Sequence, residues 1–329
     1  MANFQEGTSP TLSNFDTGVS GQTNAYFLPE VYSANVQIAF RKSSVVEAIT
    51  NTDYTGEVTA FGDTVNIIKE PDITVASYLR GMNLVATKLT DEELILQIDQ
   101  SNYFMFKVDD IEKKMSHVNW QATASSRAGY KLKDAMEVEV FTYMSTNAST
   151  SSPAMVIGAD DATAGTLEDI DAGGTEAVKV GYTAATETDP LDVIARAARM
   201  LDDQQAPDDG RWFAASPEFY EILSKASSKI LSVDYNAGQG SIRNGLVSSG
   251  LLRGFSMYRT SNIPAGSNAN VALAGHISAV ATAQTLLNTE TDRVELGFGD
   301  LVKGLHVYGR KLLREESLVK IFWNTTTDA

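Results

Sequence analysis

The side chains that most often do chemistry are few in this chain, and their spacing does not suit a site. Its three histidines, His117, His276 and His306, are too far apart for metal-ligand spacing. The absence of cysteine excludes disulfides and thiolate metal sites. We therefore expect each histidine to have a structural role.

The glycine and serine motifs of common enzyme classes are also missing from the sequence. No G-x-x-x-x-G-K-[ST] loop occurs, which excludes phosphate binding of the P-loop type. Gly238 and Gly297 each begin a G-x-G pair, but Arg243 and Val302 stand where G-x-G-x-x-G needs its third glycine. Neither G-x-S-x-G nor H-E-x-x-H is present. The sequence thus predicts no catalytic residue, no cofactor-binding residue, no metal ligand and no enzymatic activity.

Acidic residues are numerous, but their spacing favours a solvated surface. A calcium loop counted from Asp160 would place Gly165 sixth and Asp171 twelfth. Ala162 and Ala164 stand where oxygen ligands belong, so we interpret this stretch as a loop. Acidic residues that adjoin in sequence point in different directions on a helix and are poor candidates for paired acid–base catalysis.

The composition is that of a globular, acidic chain. With 329 residues and 43% hydrophobic side chains, the chain can bury a core in two domains or in one elaborate domain. Its formal net charge of −16 repels phosphate backbones and argues against sequence-specific binding of DNA or RNA. The N-terminus lacks the features of a signal peptide, and no apolar run approaches the roughly 20 residues of a membrane span, so we expect no membrane partner.

The first half of the chain predicts an arm, a hairpin and a long helix. Residues 1–28 are mostly polar and small, which predicts an arm without its own core, and 29–57 show a helical rhythm. Alternating apolar residues on both sides of a mixed stretch predict a β-hairpin over 58–108. An apolar stripe at i, i+4 spacing predicts a helix over 109–147, in which Gly129 marks a bend or a close approach.

The second half mixes helices with short strands that do not follow one another in pairs. Residues 148–188 are rich in Ala, Gly, Thr and Asp and predict a loop or a small inserted subdomain. Two helices begin with a capping residue and a proline, at Asp189-Pro190 and at Ser216-Pro217. A further helix is predicted around 277–285. This mixture favours an α+β fold over a doubly wound sheet.

The order of segments from Asp189 onward resembles one known family. The first capped helix is followed by a turn at 206–210 and then by four segments in a fixed order, 211–217, 252–264, 273–276 and 308–310. In this order the chain is similar to the major capsid proteins of tailed bacteriophages, which have the Hong Kong 97-type fold.

The resemblance implies a division of the chain into five parts. These are an N-terminal arm (1–28), a segment on the peripheral domain (29–57), an extended loop (58–108), the spine helix of the peripheral domain (109–147) and an axial domain (148–329). Strands of the last part would return to the peripheral domain near 255–260 and at the C-terminus.

The resemblance also implies a function in assembly. Hexamers and pentamers would form an icosahedral shell that encloses double-stranded DNA without reading its sequence, in the cytoplasm of a host bacterium. The short, uncharged N-terminus implies a separate scaffolding protein, and the family implies a portal protein, procapsid maturation and, as an open point, a decoration protein. The alternatives are an encapsulin-like nanocompartment shell and an α+β enzyme or binding module.

Arg80 and Gly81, near the outer end of the predicted hairpin, are the residues that we expect to contact a neighbouring subunit. The planar guanidinium of arginine suits a carboxylate of the partner. Some relatives join a lysine of the extended loop to an asparagine of a neighbour. Lys69, Lys88 and Asn262 lie in the corresponding regions, but no feature marks either lysine as activated, so we expect non-covalent contacts.

Overall fold

The structure is a computed structural model. It describes residues 44–57, 64–69, 73, 75, 77–83, 92–115, 120–148, 150, 154–161, 164–165, 176–182, 187–225, 252–294 and 297–325. The expected arm, residues 1–28, lies outside the described residues, as does Lys88.

Five helices and twelve strands are described. The helices are α1 (Val46–Ile49), α2 (Asp110–Met115), α3 (Trp120–Asn147), α4 (Pro190–Asp203) and α5 (Pro217–Leu223). The strands are β1 (Thr64–Lys69), β2 (Glu92–Gln97), β3 (Gln100–Asp109), β4 (Val156–Ile157), β5 (Ala164–Gly165), β6 (Ala177–Lys179), β7 (Arg211–Ala215), β8 (Ser256–Arg259), β9 (Asn270–His276), β10 (Val280–Arg293), β11 (Gly299–Leu312) and β12 (Leu318–Asn324).

The largest of the described sheets is a mixed sheet of seven strands. Its order is β5-β6-β12-β9-β7-β8, with β4 also paired to β12. Every residue of β7 is buried, and its side chains alternate between two cores. Phe213 and Ala215 face one core, whereas Trp212 and Ala214 face the other. At β7, both faces of the sheet are therefore covered by other parts of the chain.

Helices α4 and α5 cover one face, and their predicted caps are confirmed. The Asp189 side chain accepts a hydrogen bond from Leu191 N at 2.8 Å, and Pro190 occupies the first turn. The Ser216 side chain accepts one from Phe219 N at 3.5 Å. Capping satisfies backbone donors that have no partner within the helix.

The second half of α3 covers the other face. The second half of the predicted stripe is confirmed, because Leu132, Met136, Val140 and Met144 are all buried, whereas Ile111, at the start of the predicted helix, is 67% exposed. The last three pack in one core with Trp212 and Leu273 of the sheet. At Gly129 the prediction of a close approach is wrong, since an added Cβ would meet nothing within 4 Å.

A three-stranded antiparallel sheet, in the order β10-β11-β3, and a separate hairpin of β1 and β2 complete the described fold. The hairpin pairs Thr64 with Gln97 and Lys69 with Glu92. The predicted hairpin over 58–108 is therefore too long at its C-terminal end, because β3 pairs with β11 instead. Alternation marks a strand but does not identify its partner, which is why the sequence did not separate β2 from β3.

Three further expectations are corrected in the second half. β8 and β12, which correspond to the strands expected to return to the peripheral domain, belong to the seven-stranded sheet, whereas β10 and β11 form one sheet with β3. The helix expected at 277–285 is wrong, because a short 3-10 turn there leads directly into β10. Alanine-rich sequence favours a helix locally, and long-range pairing with β11 overrides that preference. Within 148–188, β4, β5 and β6 join the main sheet and do not form an inserted subdomain.

Candidate assembly surfaces

The outer turn of the hairpin region presents Arg80 and Gly81 to solvent. Met82 N donates to Leu79 O at 3.0 Å, so that Arg80 and Gly81 are the two central residues of a turn. Gly81 has a φ of +89°, the left-handed conformation that a type II turn requires at this position. Both residues are exposed, and no carboxylate of the described part of the chain pairs with Arg80.

Apolar side chains surround this turn. Leu79 is 72% exposed, and the side chains of Tyr78 and Met82 are also largely in solvent. The same holds for Ile68 on β1 and for Val75. Isolated exposed apolar residues are ordinary, but a run of them along one segment is typical of an interaction surface.

The inner end of the hairpin is held by its own subunit. Leu96 and Ile98 are fully buried in a small core with Ala281 and Ala283 of β10 and Val307 of β11. One end of the hairpin is therefore packed against the three-stranded sheet, whereas the apolar residues toward its other end are exposed to solvent.

A second apolar surface lies on the three-stranded sheet, beyond the part that the hairpin covers. Tyr103 and Met105 of β3 are 76% and 61% exposed, and Leu305 of β11 lies opposite Tyr103. They line a depression of about 320 Å³, bordered by Glu290 and Lys303. This surface was not predicted from the sequence. Its signal was available, because Tyr103 and Met105 are apolar on the face opposite Phe104 and Phe106.

A network of charged side chains marks the end of this sheet where β10 and β11 connect. Arg293 donates to Asp110 at 2.7 Å and to Asp300 at 3.4 Å, and Lys113 lies 2.8 Å from Asp300. The hydrogen bond from Lys113 holds the pKa of the Asp300 carboxyl below its usual range. Beside the network, Phe298 is 78% exposed. These exposed pairs fix the position of the connection relative to α2, each at a small energetic gain.

Asp160 and His276, two of the residues considered as possible ligands, make hydrogen bonds within the fold, whereas His117 lies outside the described residues. Asp160 accepts hydrogen bonds from the backbone N–H groups of Ser267, Asn268 and Ala269, at 2.8 to 3.0 Å. Burial raises the pKa of this carboxyl, but the three donors outweigh burial and lower it overall. Its oxygens are thus used in fastening a turn. His276 is held between Ser278 and the Asp209 carbonyl, at 2.7 Å each.

The structure also bears on the predicted absence of a covalent crosslink. Asn262 is 6% exposed, and its side-chain amide donates to Asp134 of α3 at 2.9 Å. A lysine of a neighbouring subunit would have to displace this bond to reach the amide. Lys69, at the end of β1, is exposed.

Within the described ranges, no group of three or more His, Asp or Glu side chains is arranged to hold a metal ion. None of the described helices is both long and apolar enough to span a membrane.

The comparisons with solved structures establish the fold. The chain is similar to a protein from Mycobacterium phage Che8, with 22% identity, 91% of this chain and 97% of that chain covered, and a TM-score of 0.69. It is also similar to a chain of the capsid of the cyanophage P-SCSP1u, with 17% identity, 99% and 100% covered, and a TM-score of 0.70. A chain of the mature capsid of bacteriophage PhiM1 has 14% identity, 90% and 92% covered, and a TM-score of 0.62.

These likenesses define the fold, which is of the Hong Kong 97 type. The sequence itself settles the family. The profile of the phage capsid protein family matches residues 104–321, and the chain belongs to that family. It is a major capsid protein, a structural component of the virion, as the sequence analysis predicted, and the nanocompartment alternative is not favoured. A search among curated proteins found no match.

Proposed function

We propose that this chain forms the hexamers and pentamers of an icosahedral shell that encloses the double-stranded DNA of a tailed bacteriophage. The observation that carries the proposal is the pair of exposed apolar surfaces, one on the outer hairpin and one on the three-stranded sheet. Neither surface is explained by the fold of a single subunit. In a shell of overlapping subunits both are buried.

The proposed mechanism is interlocking, without catalysis. The hairpin leaves its own subunit at the core of Leu96 and Ile98 and lies across a neighbour, where burial of Tyr78, Leu79 and Met82 stabilises the contact. Apolar burial contributes about 25 cal/mol for each Å² removed from water. A projecting, apolar hairpin left in solvent would favour unspecific aggregation, so its correct partner has to be built into the assembly.

The division into domains follows the same logic. The peripheral domain comprises α2, α3 and the three-stranded sheet, and the axial domain comprises the seven-stranded sheet with α4 and α5. Residues 29–57 belong to the peripheral domain, and their described part packs on α3. The predicted N-terminal arm, 1–28, completes the subunit.

The packaged DNA is held by confinement and not by recognition. A net charge of −16 repels phosphate, which keeps the wall from binding the polymer inside it. A scaffolding protein sets the curvature during assembly in the host cytoplasm, and a portal protein occupies one vertex. A decoration protein on the mature shell is an additional partner of the same proposal.

Electron microscopy of the chain, expressed with and without the scaffolding protein of the same phage, tests this function. We expect closed icosahedral particles with the scaffold. The double variant Leu79→Ser, Met82→Ser should keep the circular dichroism of the wild type and lose particles. Ile277→Ser, which changes a partly exposed apolar residue outside the hairpin, is the control and should assemble. A wild-type chain that stays monomeric with its scaffold would contradict the proposal.

A further inference from the structure

Glu137 is a buried carboxylate in the middle of α3. It is 2% exposed and accepts two hydrogen bonds, from Val45 N to Oε2 at 3.2 Å and from the Thr260 hydroxyl to Oε1 at 3.0 Å. No lysine, arginine or histidine among the described residues forms an ion pair with it. A buried carboxyl group without a cation beside it depends on its hydrogen bonds, so the positions of its two donors, Val45 N and the Thr260 hydroxyl, matter to the fold.

The bond to Val45 lies at the start of a short segment that bridges α3 and β10. Val45, Val46 and Ile49 are buried against the α3 core. Farther along, Glu47 pairs with Lys133 of α3 at 2.9 Å, which holds the pKa of the Glu47 carboxyl below its usual range.

The other end of the segment is fastened to β10. The Thr50 hydroxyl is hydrogen-bonded to Thr282 at 2.8 Å, and Asn51 N donates to Val280 O at 2.9 Å. The segment 45–51 is therefore fixed along its length, and Glu137 provides the fixing contact at its first residue.

We infer that Glu137 is a positioning residue, which fixes the point on α3 at which the chain before Val45 joins the body of the subunit. The consequence for assembly rests on the proposed function: whatever the preceding residues contact on a neighbour, they start from the place that Glu137 sets. The same carboxylate holds Thr260, which in turn accepts a hydrogen bond from Asn262 N at 3.2 Å. One side chain thus aligns three parts of the chain that are distant in sequence.

The role requires an acceptor at Val45 N, not a negative charge. In Glu137→Gln, the amide oxygen can accept from Val45 N while the amide N–H donates to the Thr260 hydroxyl, which can act as donor or acceptor. In Glu137→Met the volume is similar, but Val45 N loses its partner. A buried donor without an acceptor is strongly unfavourable, so the segment should detach in this variant.

Hydrogen exchange on the unassembled, full-length chain tests the inference. In Glu137→Met we expect the amides of residues 45–51 to lose protection by about tenfold or more, with α4 unchanged, whereas Glu137→Gln should stay within about threefold of the wild type. Glu139→Met is the matched control. Glu139 lies two residues away on α3 and bonds Arg310 of β11, so its loss should leave 45–51 protected.

Two results would overturn the inference: wild-type protection of 45–51 in Glu137→Met, or an equal loss in Glu137→Gln. If Glu137→Met loses protection in α4 as well, Glu137→Asp replaces it, because the shorter side chain keeps the charge and withdraws the acceptor from Val45. Retained protection in Glu137→Asp would then be the contradicting result. Failure of the wild-type chain to form particles would count against the proposed function alone, since exchange is measured before assembly.

Discussion

At the scale of single residues, Asp160 and His276, which the sequence offered as possible ligands, make hydrogen bonds within the fold. The Asp160 loop lacks ligands at two positions, and in the structure its carboxylate fastens a turn. What the sequence could not predict is the buried role of Glu137. A glutamate on a helix is exposed in most proteins. This one is a buried acceptor because Val45 and Thr260, which are distant in sequence, lie against it in the folded chain.

His306 is a residue for which the structure predicts a pH effect. Burial lowers the pKa of its imidazole, which stacks on Tyr308 with ring centres 5.4 Å apart. The unfolded chain, with a histidine pKa of about 6.5, therefore takes up this proton before the folded chain does. We expect the contribution of His306 to the free energy of unfolding to be constant above the pKa of the unfolded chain and to decrease as the pH falls below it.

The measurement is urea unfolding of the unassembled chain at pH values from about 8 to 5. His306→Phe and His306→Gln replace the titrating imidazole with side chains of different shape. In both variants the free energy of unfolding should depend less on pH than in the wild type. An unchanged slope in both variants would show that His306 is not the group responsible.

At the scale of elements, the sequence predicted those whose signal is local. The caps at Asp189 and Ser216 and the stripe of α3 are confirmed because capping and periodicity depend on neighbours in the chain. The partners of the strands were not predicted. Pairing of β3 with β11 joins residues that are about 200 positions apart, and no local pattern distinguishes that partner from β2. The seven-stranded sheet likewise takes β4, β5 and β6 from a stretch whose composition is typical of a loop.

Two glycines in different elements should respond to the same substitution with opposite sign. At Gly309 of β11, an added Cβ would collide with the backbone oxygen of Gln97 and lie 2.8 Å from Ile98 Cδ1, where the hairpin crosses the sheet. Overpacking of this kind costs about 1–3 kcal/mol, so Gly309→Ala should lower the free energy of unfolding. Gly129 of α3 is exposed with open space around it, and Gly129→Ala should raise stability by up to about 1 kcal/mol.

Chemical denaturation of the two variants beside the wild type provides the measurement. Hydrogen exchange would locate the Gly309→Ala effect, which we expect in β2 and in the core of Leu96 and Ile98. A Gly309→Ala variant as stable as the wild type would contradict the close crossing of the hairpin over β11.

At the scale of the whole molecule, the order of segments indicated the family although no individual motif was specific. Order is informative because a shell subunit has to present its hairpin, spine helix and central sheet in a fixed relation. The contacts between subunits are another matter. They depend on surfaces that one chain cannot satisfy alone. The sequence indicated only Arg80 and Gly81 as contact residues, whereas the exposure of Tyr103 and Leu79 is evident only in the structure.

Arg80 belongs to this scale, because its proposed partner is a carboxylate of another subunit. It sits at the centre of an exposed turn, beside Gly81, and an acidic chain offers many partners for its planar guanidinium. One exposed ion pair contributes only about 0–1 kcal/mol, but a closed shell repeats the contact at every subunit. We expect Arg80→Glu to leave the circular dichroism of the unassembled chain unchanged and to lower particle yield or the melting temperature of particles. Arg199→Glu makes the same charge change on the exposed side of α4 and serves as the control. Particles of Arg80→Glu with wild-type yield and melting would eliminate the contact and leave the apolar residues around the turn to hold the hairpin.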